Sequence, residues 1–259
     1  MEIYIDQLNR RVILAKSPQR IISLVPSQTE LLHYLGLEDE VVGITKFCVH
    51  PESWRQTKKI IGGTKQYHFD RIAALNPDLI IGNKEENSQI EIEKLALKYP
   101  VWLSDILTLE DAFDMILKIG VLVNRVEKSE KLVADLKNAF AKLKVKRTQK
   151  AAYFIWRKPY MIAANDTFIN EMLKIAGFEN VFADKKRYPA ITLAELSETQ
   201  PEVILLSSEP FPFQEKHFEE FQKACPNATI LLADGELFSW YGNRLLESAE
   251  RFLVGHYQK

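Results

Sequence analysis

The sequence predicts an α/β fold of two similar three-layer lobes, each with a central, mostly parallel sheet, joined by one long rigid helix and separated by a ligand cleft. Three observations predict this fold. Short apolar runs that suit buried strands alternate with helical spacing. One strand–helix unit occurs twice, and a stretch without proline separates the two copies.

The first elements follow from spacing and turn residues. Apolar residues alternate at 2–6 and 11–15 around a polar turn, which predicts a β-hairpin. The run at 20–25 is too apolar to be solvated on one face and predicts a buried parallel strand. The predicted strand ends at Pro26, and the apolar residues that follow have helical spacing up to Gly36. These elements form the beginning of a βαβ unit.

The chain then repeats itself. Residues 30–42 and 171–182 share an acidic start, an apolar pair, a helix-ending glycine and a following apolar residue. Residues 71–81 and 195–206 each combine a short helix, a proline and an apolar strand. Because both pairs occur in the same order, we expect two similar lobes rather than one continuous sheet.

A helix is predicted between the copies. From residue 123 to residue 146 the apolar positions keep helical spacing, and the helix would run ~36 Å at 1.5 Å per residue. A flexible linker would instead contain Gly, Ser and Pro. The expected domains are an N-terminal lobe at 1–120, a connecting helix at 121–147 and a C-terminal lobe at 148–259.

Composition excludes several classes of protein. The 259 residues are 46% hydrophobic and 27% charged, with a formal net charge of -1, so a soluble globular protein without nucleic acid as a partner is expected. No apolar run reaches the ~18–20 residues of a membrane span. Two cysteines do not make a disulfide scaffold. The motifs GxSxG, HExxH, GxGxxG and the P-loop are absent, so we expect binding without catalysis.

Several segments carry a family resemblance. They read DQLNRRVIL at 6–14, RIISLVPSQTE at 20–30, LGLEDEVVGI at 35–44, and IGGT at 61–64 leading to LNPDLI at 75–80. The chain resembles the helical-backbone (type III) substrate-binding proteins of ABC importers for vitamin B12, ferric siderophores and haem, and the B12-binding branch most. The resemblance is strong to about residue 85 and weaker in the second lobe.

This resemblance implies a function and partners. It implies a metal chelate held in the cleft, cobalamin or another corrinoid first and an iron(III) siderophore or haem second, with no intrinsic cofactor and no protein-bound metal. It also implies a monomer that docks on an ABC permease through one carboxylate per lobe, seven residues before the helix-ending proline. That position is Asp70 in the first lobe and Ala194 in the second, where Glu195 follows.

In the first lobe, two loops supply candidate ligand contacts. Pro26, Ser27 and Gln28 follow a strand, where ligands collect in α/β sheets, although Ser27 with Glu30 also fits a helix capping box. An insertion at 45–62 adds further candidates, namely Phe47, Cys48 and His50. The pair Cys48 and His50 could ligate a metal, line the pocket or belong to a plain surface loop.

In the second lobe, aromatic residues in loops are the candidates, because flat rings stack well on a macrocycle. The set comprises Trp156, Tyr188, Trp240 and Tyr241, and Arg244 is added to it as a charged candidate. Part of such a group belongs to the core. Arg244 could hold an anionic group of the ligand or pair with Glu236 or Glu247, and the pairing is the favoured alternative.

Two other kinds of function stay open. One is an intracellular tetrapyrrole- or metal-handling enzyme or chaperone on the same scaffold, and the other is an interaction module with no small ligand. The N-terminus has no basic and apolar export signal. A cytoplasmic protein is therefore expected if the chain is complete, and a periplasmic or lipid-anchored one if a signal was removed.

Overall fold

The computed structural model describes residues 1–144 and 147–258. These residues form two units. Unit 1 comprises Met1–Ile106, Glu110–Asp135 and Tyr241–Asn243. Unit 2 comprises Leu107–Leu109, Leu136–Trp240 and Arg244–Lys259.

Unit 1 contains a hairpin and a parallel sheet. Strands β1 (Glu2–Ile5) and β2 (Arg11–Leu14) pair antiparallel, which confirms the predicted hairpin. The sheet has the order β5-β4-β3-β6-β7, and all neighbouring strands are parallel. Its strands are β3 (Ile21–Ser23), β4 (Val41–Ile44), β5 (Lys59–Ile60), β6 (Leu79–Asn83) and β7 (Val101–Ser104).

Helices lie between these strands and after β7. They are α1 (Pro26–Tyr34), α2 (Glu52–Thr57), α3 (Phe69–Leu75), α4 (Gln89–Ala96), α5 (Leu109–Leu122) and α6 (Val126–Phe140). The core includes Ile22, Leu24, Ile72 and Ile80, all fully buried. Each such side chain contributes roughly 1.5–3 kcal/mol by leaving water.

Unit 2 repeats this plan with one variation. Strand β8 (Gln149–Trp156) pairs parallel with β12 (Val203–Ser207), which pairs parallel with β13 (Thr229–Ala233). On its other side β8 pairs parallel with β10 (Phe178–Asn180) and antiparallel with β9 (Tyr160–Ile162), and β11 (Ala190–Ile191) pairs with β9. The helices are α7 (Phe168–Ile175), α8 (Leu193–Glu198), a 3₁₀ turn at Glu215–His217, α9 (Phe218–Ala224), α10 (Gly235–Ser239) and α11 (Leu245–Leu253).

The structure confirms the internal repeat. Helices α1 and α7 both end before a glycine with positive φ, 81° at Gly36 and 89° at Gly177, because a residue with a Cβ is strained there. Helices α3 and α8 are both followed by a left-handed residue and then a proline, with φ of 42° at Asn76 and 47° at Gln200. In each unit the next strand then lies beside the strand that opened the repeat.

The predicted single helix from 123 to 146 is wrong in length. Helix α5 ends at Leu122, and Asn124 adopts a φ of 55°, so α6 begins only at Val126. Helix α6 ends at Phe140, and the basic residues Lys142 and Lys144 come after its end. Residues 145 and 146 lie outside the described part of the chain.

Candidate functional site

In unit 1 the strands β3, β4, β6 and β7 are parallel, so their carboxyl ends lie at one edge of the sheet. A polar cluster fills this edge. The Gln28 side chain donates to Ser104 Oγ at 2.7 Å, and Asn83 Nδ2 donates to the same oxygen at 2.9 Å. Asn87 Oδ1 accepts from the backbone N–H of Asn83 at 2.8 Å. Asn83, Asn87 and Ser104 are polar residues of this edge that the sequence analysis did not select.

Pro26, Ser27 and Gln28 are not a loop before the helix. They form the first turn of α1, with Val25 at the N-cap and proline at the start, where its missing N–H costs nothing. The capping box predicted for Ser27 is therefore wrong, because Ser27 already lies inside the helix. Ser27 and Gln28 are buried, and Gln28 Oε1 has no hydrogen-bond partner.

The candidate residues in the insertion after β4 differ in how deeply they are buried. Phe47 is 50% exposed, with the Lys46 ammonium 5.0 Å from its ring centre. Cys48 is fully buried, and its Sγ lies 3.0 Å from Thr29 Oγ1 and 3.2 Å from Thr45 Oγ1. Burial raises the pKa of this thiol, which favours a structural role over metal ligation.

His50 lies at a surface depression of unit 1. The depression has a volume of about 420 Å³ and is lined by Glu30, His33, Tyr34, His50, Pro51 and Asn243. Tyr241, two residues before Asn243, is only 5% exposed, and burial raises the pKa of its hydroxyl well above 10. Its neighbours Glu86 and Glu85 raise this pKa further, whereas hydrogen bonds with Ser27 and Ser104 oppose the shift.

In unit 2, Trp156 ends β8 and is 39% exposed, so it presents apolar ring surface to solvent. Its ring packs edge-on against Phe211, with 5.9 Å between ring centres. Phe211 in turn contacts Phe213 and His217. The sequence analysis missed Phe211 and Phe213. The run of aromatic residues and prolines directly after a buried strand is the signal that could have found them.

Trp240 is only 6% exposed, so its ring offers little free surface for stacking in this structure. Its indole N–H donates to Glu209 Oε1 at 2.8 Å, and the Arg244 guanidinium lies 5.2 Å from its ring centre. Arg244 also contacts Glu236 and Glu247, both at 3.2 Å, as the ion-pair alternative predicted. Burial raises the pKa of Glu209, and the neighbouring acidic residues raise it further.

The other candidates occupy separate elements. Tyr188 lies in the segment before β11, with Arg187 5.7 Å from its ring centre. Asp70 is exposed in the first turn of α3. Glu195 closes a capping box with Thr192, and this hydrogen bonding, with Lys185 nearby, lowers the pKa of Glu195. Its carboxylate therefore already stabilises the start of α8.

In residues 1–144 and 147–258 no helix is long and apolar enough to cross a bilayer. The same residues contain no group of three or more His, Cys, Asp or Glu side chains arranged to hold a metal ion.

The family model described as periplasmic binding protein matches residues 21–227. The chain belongs to this family. The Vitamin B12-binding protein of Vibrio parahaemolyticus is 29% identical over 79% of this chain and 77% of that relative. An uncharacterised ABC transporter substrate-binding lipoprotein of Bacillus subtilis is 26% identical over 97% of this chain and 84% of that relative.

Solved structures agree on the fold of this periplasmic binding protein. The structure of a periplasmic haem-binding protein from Pseudomonas aeruginosa superposes with a TM-score of 0.79 at 20% identity and covers 93% of each chain. At this identity the similarity shows the fold, and the predicted α/β class and the family resemblance are confirmed. It does not distinguish one ligand from another.

Proposed function

We propose that this protein is the substrate-binding component of an ABC importer and binds a corrinoid, cobalamin in particular, without changing it chemically. The family match over residues 21–227 carries the proposal, because it covers most of the chain. The names of the relatives, vitamin B12-binding protein and ABC transporter lipoprotein, support the ligand and the transporter. Those names also favour a protein that works outside the cytoplasm over the cytoplasmic alternative.

Exposed aromatic side chains at strand ends support a flat ligand. Phe47 follows β4 in unit 1, and Trp156 ends β8 in unit 2. Both expose more than a third of their surface, unlike Trp240 and Tyr241. A corrin presents a large, partly apolar face, and rigid aromatic rings bind such a face with little loss of side-chain entropy. We therefore propose each of these two rings as a stacking contact within its own unit, with Trp156 as the one to test first.

Docking on a permease is proposed through Asp70. Its carboxylate is exposed at the start of α3 and is free of the capping role that Glu195 has in α8. If Glu195 also docks, its contact with Thr192 must be shared or lost. Asp70→Asn should therefore weaken stimulation of the cognate importer more than Glu195→Gln does.

The ligand is tested by equilibrium dialysis against cyanocobalamin, with haemin and a ferric hydroxamate as comparison ligands. We expect one cyanocobalamin per chain with micromolar or tighter affinity, which corresponds to ~8 kcal/mol or more. Trp156→Ala should weaken binding by about thirtyfold, the effect of losing an aromatic contact worth about 2 kcal/mol. Leu97→Ala is the control, because Leu97 is 85% exposed beyond α4, before the amino end of β7.

Retention of haemin or the ferric hydroxamate instead of cyanocobalamin would refute the corrinoid assignment and keep a chelate-binding function. Retention of none of the three would refute binding of this ligand class. Equal loss of affinity in Trp156→Ala and Leu97→Ala would remove Trp156 from the site.

A further inference from the structure

The segment between β12 and α9 carries the aromatic partner of the exposed Trp156 ring in unit 2. Phe211 lies in this segment and packs edge-on against Trp156. Phe213 packs against Phe211, with 4.8 Å between ring centres, and is itself buried in the core of the unit. The position of Phe211 therefore decides how the Trp156 ring is supported.

His217 closes this segment with two reciprocal hydrogen bonds. Its Nδ1 accepts from the backbone N–H of Gln214 at 3.0 Å, and its own backbone N–H donates to the Gln214 carbonyl oxygen at 2.9 Å. The imidazole is buried and contacts both Phe211 and Phe213, with ring centres 5.6 and 5.7 Å away. Only an imidazole that is unprotonated at Nδ1 can make the first of these bonds.

We propose that His217 is a positioning residue that makes ligand binding sensitive to pH. Protonation of Nδ1 removes the acceptor for the Gln214 N–H and sets two donors against each other. The segment that carries Phe211 then loses the hydrogen bond between Gln214 and His217. The ring of Phe211 can shift as a result, which weakens its packing against Trp156. The consequence for ligand affinity rests on the proposed function, because Trp156 is a proposed ligand contact, whereas the opening of the segment does not.

The charges around His217 set the direction of the response. Burial, Arg157 and Lys216 lower the pKa of His217 below 6.5, while Glu220 and the backbone of Gln214 oppose them. Glu220 already binds Arg157 in two hydrogen bonds of 2.8 and 3.0 Å and also lies near the Tyr160 hydroxyl, which limits its opposing effect. His217 is therefore neutral at pH 7.5, and the segment loosens as the pH falls below 6.5.

The first experiment follows Trp156 without any ligand. The protein is labelled with 5-fluorotryptophan, and the four fluorine resonances are recorded between pH 8 and 5. Trp156→Phe identifies the resonance of interest. We expect this resonance to shift with a midpoint below 6.5 in the wild type and in the control His256→Gln, whose histidine is exposed at the chain end.

Two variants of His217 separate positioning from simple packing. His217→Asn places an amide oxygen where Nδ1 lies and should hold Trp156 in its neutral-pH state at every pH. His217→Phe keeps a ring without an acceptor and should give the low-pH state throughout. A pH shift of the Trp156 resonance that persists in His217→Asn would overturn the proposal, whether or not His217→Phe folds.

The second experiment measures cyanocobalamin affinity at pH 7.5 and 5.5. We expect the wild type to bind up to about tenfold more weakly at pH 5.5, the effect of one buried hydrogen bond, and His217→Asn to show no change. Equal weakening in both proteins would overturn the link to affinity. Absence of binding at pH 7.5 would refute the proposed function, and the fluorine titration would still decide the role of His217.

Discussion

Glu209 accepts a hydrogen bond from Trp240 and is also a buried carboxylate. Two substitutions of Glu209 should show which of these two properties matters for stability. Glu209 Oε1 accepts from the Trp240 indole at 2.8 Å and from Ser239 Oγ at 2.9 Å. In Glu209→Ala, Ser239 can still donate to the Gly235 carbonyl at 2.8 Å, but the indole loses its acceptor. A buried donor left without a partner costs about 1–3 kcal/mol, so we expect a loss near 2 kcal/mol in the free energy of unfolding.

Glu209→Gln should behave differently. It keeps an acceptor oxygen and removes the negative charge, which is disfavoured by the neighbouring acidic residues Glu236 and Asp234. The free energy of unfolding should therefore change by less than about 1 kcal/mol. Urea denaturation at pH 7.5, followed by circular dichroism, measures both variants. Equal destabilisation by Ala and Gln would refute the reasoning, because the acceptor would then not be the determinant.

The sign of the pH dependence follows from the same group. The pKa of Glu209 is raised in the folded protein, so the folded state binds its proton more tightly than the unfolded state does. Glu209 contributes most to stability at a pH below its pKa in the unfolded state. This contribution is lost as the pH rises through the higher pKa that Glu209 has in the folded state. The difference in stability between Glu209→Gln and the wild type should therefore grow in favour of the variant over this range. A constant difference would contradict the assignment.

Three further predictions concern other parts of the chain. Gly120→Ala should destabilise the protein by about 1–3 kcal/mol, because the new Cβ would lie 1.9 Å from Ser129 Oγ, and Ser129→Gly in the same chain should restore most of the loss in urea denaturation. Trp156→Ala should leave the free energy of unfolding within about 1 kcal/mol of the wild type, since the ring is partly exposed, and a larger loss would show a core role. Cys48 and Cys225 are buried with raised thiol pKa values, so an aromatic disulfide reagent should react with both slowly in the native protein and rapidly in urea.

The framework of each unit was predictable because local chemistry specifies it. A glycine that must adopt positive φ ends α1 and α7, and proline prevents α3 and α8 from continuing. These signals act within a few residues, so the repeat could be found without knowing any tertiary contact. The same reasoning placed the start of α1 too late, because Pro26 reads equally as a break or as the first residue of a helix.

The candidate site was harder to predict because burial depends on distant residues. Trp240 is held by Glu209, 31 residues earlier in the chain, and Cys48 by Thr29, 19 residues earlier. Neither partner shares a sequence pattern with the residue it buries. Trp156 was predicted to lie in a loop, whereas it is the last residue of β8, and its packing against Phe211 could be found only from the fold. Whether these residues bind the ligand stays a prediction.

The segments that follow β6 and β12 are held in place by different kinds of contact. After β6, polar contacts hold the turn, because Asn83 Oδ1 accepts from two backbone N–H groups. The side chain of Asn87 packs against Gly82, and a Cβ added to Gly82 would lie only 2.5 Å from Asn87 Oδ1. After β12, the equivalent strand of unit 2, aromatic rings and His217 hold the segment instead. Equivalent strands therefore end in a rigid polar turn in one unit and in an aromatic segment closed by a titratable group in the other. His217 contacts Phe213, which belongs to the core of unit 2, so we expect substitutions at His217 to affect both the segment after β12 and the core side chain that anchors it.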